Sequence, residues 1–132
     1  MDDPEFFATI VTGLSRIRTR MKNIAHTLRG TFPNASIQHA IEFAEYPDRN
    51  VIELYIDLAL GAGKSLCWWI DIERMGQVWN IEASLRRDEG NGADTAWKAT
   101  YKADTVEEIF SHLSVVLDEM QRFANQKGKS FI

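Results

Sequence analysis

Residues 58–73 read LALGAGKSLCWWIDIE, and the fold turns on whether this stretch is a phosphate loop or a hairpin. Its middle, Gly61-Ala62-Gly63-Lys64-Ser65, looks like the end of a nucleotide-binding loop of the form Gly-x-x-x-x-Gly-Lys-Ser/Thr. Counting back from Gly63 puts the first glycine of that pattern at position 58, which here is Leu58. The mechanical objection is stronger. Such a loop works by opening a helix whose N-terminal amides and dipole hold the phosphates. After Ser65 the chain instead runs Leu66-Cys67-Trp68-Trp69-Ile70-Asp71-Ile72-Glu73, aromatic and β-branched with period two. That is a strand, and the glycines before it make a hairpin turn.

The same alternation spreads in both directions. Ser36–Ala44, Val51–Leu60, Ser65–Glu73, Gln77–Arg87 and Thr95–Lys102 each alternate apolar with polar residues. The segments between them are rich in Gly, Pro, Asp and Asn, and such short connections favour antiparallel neighbours. The pattern predicts a five-stranded antiparallel meander sheet, with the loop 88–94 its most mobile part.

Outside the sheet the period changes to 3.6. Phe7, Ile10, Leu14, Ile17, Met21, Ile24 and Leu28 recur at spacings of three and four, an apolar stripe along a long N-terminal helix. Asp3 is a suitable N-cap with Pro4 at the first helical position, and Gly30 and Pro33 end the helix. Val106, Ile109, Leu113, Val116, Met120 and Phe123 repeat that spacing in a C-terminal helix, opened by an Asp104-x-x-Glu107 capping box. Residues 126–132 read as a loose tail. The expectation is a single α+β domain over 1–132 in the order α-β-β-β-β-β-α, both helices on one sheet face and the other face open.

Composition agrees with a soluble globular chain. The 132 residues are 45% hydrophobic and 26% charged, enough for one core without staples. A single cysteine excludes an internal disulfide and suits a reducing cytoplasm. The acidic start MDDPEFF is unlike a signal peptide, and no apolar run is long enough to span a membrane. The net charge of −4 is unevenly spread, with +5 over residues 6–41 and −5 over 42–101. Such asymmetry speaks to partners rather than to fold.

Strand parity sorts the side chains. The inner set is Ile41, Phe43, Ile52, Leu54, Ile56, Leu58, Leu66, Trp68, Ile70, Ile72, Trp79, Ile81, Ala83, Leu85, Trp97, Ala99 and Tyr101. The outer set carries Glu42, Glu53, Tyr55, Asp57, Trp69, Asp71, Glu73 and Glu82. Trp68 and Trp69 therefore point opposite ways, and Trp69 stands among acids. An uncovered tryptophan forgoes about 1.5–3 kcal/mol of burial, and tryptophan is enriched among interface anchors.

Several chemistries are disfavoured. Parity places Cys67 outward and His39 inward, so the two form no nucleophile–base pair. His26, His39 and His112 lack metal-ligand spacing, and no metal or cofactor is implied. Arg16, Arg18, Arg20 and Lys22 lie off the helical stripe and could meet phosphates, but no aromatics are interleaved with them, which weighs against nucleic acid. They would otherwise be solvated or pair with sheet acids.

The functional expectation is a non-catalytic binding module. Its partner-binding residues would be Glu53, Tyr55, Asp57, Trp69, Asp71, Glu73 and Glu82, engaging a basic protein such as a toxin or enzyme. Small cytoplasmic inhibitors of the immunity-protein kind have this character, an analogy of type rather than a sequence likeness. Three competing expectations are a homodimer covering Trp69, a divalent-cation enzyme built on the sheet-face carboxylates, and nucleic-acid binding by the basic first helix.

Overall fold

The computed structural model describes residues 4–46 and 49–127. A long helix α1 (Pro4–Thr31) leads into strands β1 (Ser36–Tyr46), β2 (Arg49–Gly61), β3 (Lys64–Met75), β4 (Val78–Glu89) and β5 (Ala93–Ala103). A second helix, α2 (Val106–Arg122), closes the order and continues as a π-helical turn over Phe123–Lys127. The strands form one antiparallel sheet in sequential order, so the fold is the expected α+β meander. Asp3 and the tail beyond Lys127 lie outside the described residues.

Alternation decides which face the helices cover. Ile52, Leu54, Ile56 and Leu58 of β2 are buried, as are Leu66, Trp68, Ile70 and Ile72 of β3 and Trp79, Ile81, Ala83 and Leu85 of β4. They share one cluster with Ile10, Leu14, Ile17, Met21, Ile24 and Leu28 of α1 and with Ile109, Leu113, Val116, Leu117 and Met120 of α2. Both helices therefore lie on the inner face. Ile41, Trp97 and Tyr101 pack on the cluster only in part, because they belong to the edge strands. Phe43 corrects the inward list. It keeps the inner parity, opposite buried Ile52, but it sits on edge strand β1 and is 53% exposed.

The glycine-rich stretch is a turn. Gly61, Ala62 and Gly63 have φ values of 86°, 54° and 75°, and Lys64 is already the first residue of β3. Three left-handed residues in succession reverse the chain, and glycine meets that demand at least cost. The loop expected at 88–94 is shorter than its composition suggests, because β4 runs to Glu89 and β5 begins at Ala93. Asp88 Oδ1 accepts from the backbone N–H of Gly90 at 2.8 Å and of Gly92 at 3.4 Å, which ties the tip down.

The cap of α2 lies one residue later than expected. Thr105 is the N-cap, its hydroxyl accepting from the Glu108 N–H at 3.2 Å. Glu108 Oε2 in turn accepts from the Asp104 N–H at 2.9 Å. The two helices meet where Gly13 faces Phe110. A Cβ at Gly13 would come within 2.0 Å of the Phe110 ring. Arg20 ties the pair further, donating to Asp118 at 2.6 Å and to Ser114 at 3.1 Å. That acid belongs to α2 and not to the sheet, and the exposed pair adds little stability.

Two stability outcomes follow. Gly13→Ala gains up to ~1 kcal/mol of helix propensity but must displace the Phe110 ring, an overpacking cost of about 1–3 kcal/mol. Urea denaturation should therefore show a net loss of about 1 kcal/mol, recovered when Phe110 is also shortened to Leu. Thr105→Ala should cost about 1 kcal/mol, whereas Asp104→Ala should cost much less in the same assay.

Candidate binding face

Cross-strand register turns the outer parity into an ordered surface. Glu42 of β1 lies opposite Glu53 of β2, Glu53 opposite Asp71 of β3, and Asp71 opposite Glu82 of β4. Four carboxylates thus form one row across four adjacent strands. Directly opposed side chains stand about 4.5–5.5 Å apart at Cβ, and like charges in that position are destabilising.

The next row along the strands is Ala40, Tyr55, Trp69, Ser84 and Lys98. Tyr55 and Trp69 stack nearly parallel, with ring centroids 5.2 Å apart and planes 7° from coplanar. The Trp69 indole N–H donates to Asp71 Oδ1 at 2.7 Å, so the aromatic pair is joined to the acidic row. The Tyr55 hydroxyl reaches Glu42 Oε1 at 3.4 Å. Desolvation raises the Tyr55 pKa, followed by the negative charge of Glu42 and its hydrogen bond. Trp69 does point outward, but it is half-buried, not free in water, because its neighbours pin it on two sides.

The remaining residues expected at the site share the face at other rows. Asp57 lies opposite Cys67, and Glu73 lies between Val51 and Asn80. Glu53, Asp71, Glu73 and Glu82 line a hollow of about 260 Å³ together with Val51, Met75 and Asn80. Val51 has outer parity yet is only 5% exposed. On the other side of Trp69 a groove of about 540 Å³ runs over Cys67, Ser84, Arg86 and Asp88, where β5 bulges at Ala96 opposite the Leu85–Arg86 step of β4. Arg86 is a cation in this face that parity alone would have placed there, since it lies opposite Cys67. The expectation from sequence named the acids and passed over it.

Burial, then the nearby Asp57 charge, pushes the Cys67 thiol up to about 11, only partly offset by Arg86. A thiol so held is a poor nucleophile at neutral pH. His39 lies on the opposite face, opposite buried Ile56. Its pKa is lowered by desolvation and then by Arg29, Lys22 and Arg18. His112 is spent elsewhere, stacked on Tyr101 at 4.7 Å and bonded to the Lys102 carbonyl at 3.1 Å. Among the described residues no three His, Cys, Asp or Glu side chains gather closely enough to hold a metal ion. No helix among them is long and apolar enough to cross a membrane. The chain matches no protein-family model and no curated protein sequence.

The raised thiol pKa has a stability consequence. Because the folded value near 11 exceeds the ordinary value of 9.0, the unfolded chain loses its proton first. The contribution is fully present below about pH 9 and is lost as pH rises towards 11. Denaturation midpoints should fall over that window, and Cys67→Ser should flatten the fall, leaving the part due to Tyr55. A disulfide reagent at neutral pH should label the thiol far more slowly in the native protein than in urea.

Proposed function

We propose that this chain is a non-catalytic protein-binding module whose outer sheet face engages a basic protein. An inhibitor of the immunity-protein kind, acting in the cytoplasm on a toxin or enzyme, is the form of this function we favour. The observation that carries it is the carboxylate row Glu42, Glu53, Asp71 and Glu82 joined through Asp71 to the Tyr55–Trp69 stack.

The physical case rests on charge and preorganisation. A row of opposed acids concentrates negative charge on one face, which complements a cationic partner on docking. Trp69 is already held in place by its stack and its hydrogen bond, so little side-chain entropy is lost when a partner covers it. Tyrosine and tryptophan are the residues that anchor interfaces best. A face-to-face homodimer is the weaker reading, because two copies of an acid-rich face repel one another.

Affinity capture from the source cell with wild-type protein should retain a basic protein. Trp69→Ala should weaken that complex by at least about tenfold, mostly through faster dissociation. Glu42→Gln combined with Glu82→Gln should slow association and lessen its salt dependence, leaving dissociation nearly unchanged. The same double variant should be as stable as wild type or more so, by up to about 1 kcal/mol. Unchanged binding by both variants would remove this face from the account.

A further inference from the structure

A second surface lies on the other side of the same sheet, and the acidic face does not use it. Among the described residues β1 is an edge strand of eleven residues, bonded to β2 along one side only. Beside it, Arg18, Met21, His39, Ala40 and Ile41 line a groove of about 270 Å³. Ala40 has outer parity whereas His39 and Ile41 have inner parity, so the groove wraps the free edge of the strand.

The helix side of this groove is basic. Arg18, Lys22 and Arg29 fall on one stripe of α1, being four and seven residues apart, and all three are solvent-exposed. No hydrogen bond or ion pair engages them among the described residues. All three cations act on His39, lowering its pKa after desolvation does so. They therefore share one field over β1. Arg20, a neighbour in sequence, faces α2 instead and is bound to Asp118.

Two exposed apolar side chains belong to the same helix and strand without lining the groove. Because the short connection 32–35 joins α1 to β1, the two run antiparallel. Val11, seven residues before Arg18, and Phe43, two beyond Ile41, therefore lie towards the same end. They are 54% and 53% exposed, among the few large apolar side chains left in water.

We propose that the free edge of β1 accepts an extended acidic peptide segment as an added sixth strand. The unpaired backbone of β1 supplies main-chain hydrogen bonds, as in other strand additions. Alternate side chains of the incoming strand face the helix side. Acids at those positions meet Arg18, Lys22, Arg29 and His39, and an apolar residue at one end meets Phe43 and Val11. The rise between Arg18 and Lys22, about 6 Å at 1.5 Å per residue, is close to two residues of strand, about 6.7 Å. Acids two positions apart thus match the spacing of Arg18 and Lys22. Nucleic acid fits less well, since Glu42 projects from the same strand and would repel phosphates.

The test uses the full chain, isotope-labelled, and a short capped peptide of alternating threonine and aspartate with a terminal valine. Amide shifts and slowed hydrogen exchange should be confined to residues 36–44 and the facing side of α1. Replacing aspartate by asparagine, or combining Arg18→Glu with Lys22→Glu, should weaken binding by roughly tenfold or more. Both cations are exposed, and a thermal melt checks that the variant stays folded. N-methylation of alternate peptide amides should abolish binding, because it removes the ladder and keeps the charge. The proposal is overturned if the N-methylated peptide binds equally or the peptide moves no β1 amide. Tighter binding of an oligouridine at the same residues, or the same shifts on concentrating the protein alone, would overturn it too.

Discussion

The structure depends on a single constraint: five strands that alternate apolar and polar residues bury mainly one of their two faces. A meander with short turns has no spare chain to wrap both sides, so both helices must come from the ends. They both cover the face that carries Leu54, Ile56, Ile70, Ile72 and Ile81. The opposite face is then left to water by topology, whatever it carries. Trp68 and Trp69 mark the division, one sealed against Trp97 and Phe123, the other held among carboxylates. Even the sealed ring is imperfectly served, for among the described residues the Trp68 indole N–H has no acceptor.

Much of this was legible because period two is a strong signal and hairpin turns keep it in phase. Parity named the inner residues of β2, β3 and β4 correctly and sent Trp69, Asp71 and Glu53 outward. Parity says which face a residue takes, but not how fully that face is covered. Phe43 shows the difference, since an inward residue of an edge strand can still be left wet. The α2 cap failed for another reason. Asp104 and Thr105 both have capping chemistry, and both are followed three residues later by glutamate. Ala103 is buried at the end of β5, and the Asp104 N–H is taken up by Glu108, so Thr105 becomes the cap.

The candidate face was legible as a set and illegible as a pattern. Alternation gathers acids on one side, but only register aligns Glu42, Glu53, Asp71 and Glu82 into a row. The bulge beside Arg86 belongs to the same category, because an extra residue in a strand leaves little trace in a hydrophobic pattern. The stacking of Tyr55 on Trp69 follows from register as well, since the two are directly opposed. What sequence treated as a tryptophan abandoned to solvent is therefore a ring fixed from two directions.

The uneven charge along the chain takes on a spatial meaning in this fold. The basic segment 6–41 becomes the exposed side of α1 and the start of β1, while the acidic segment becomes the outer face. β1 is the boundary, sending His39 towards the cations and Glu42 towards the acids. A sheet is about 10 Å from face to packed layer, and the screening length at physiological salt is about 8 Å. The two fields are thus separated by more than a screening length and are largely screened from one another. A basic protein drawn to the outer face leaves the edge of β1 open, and a strand added there would widen the sheet without covering the acids.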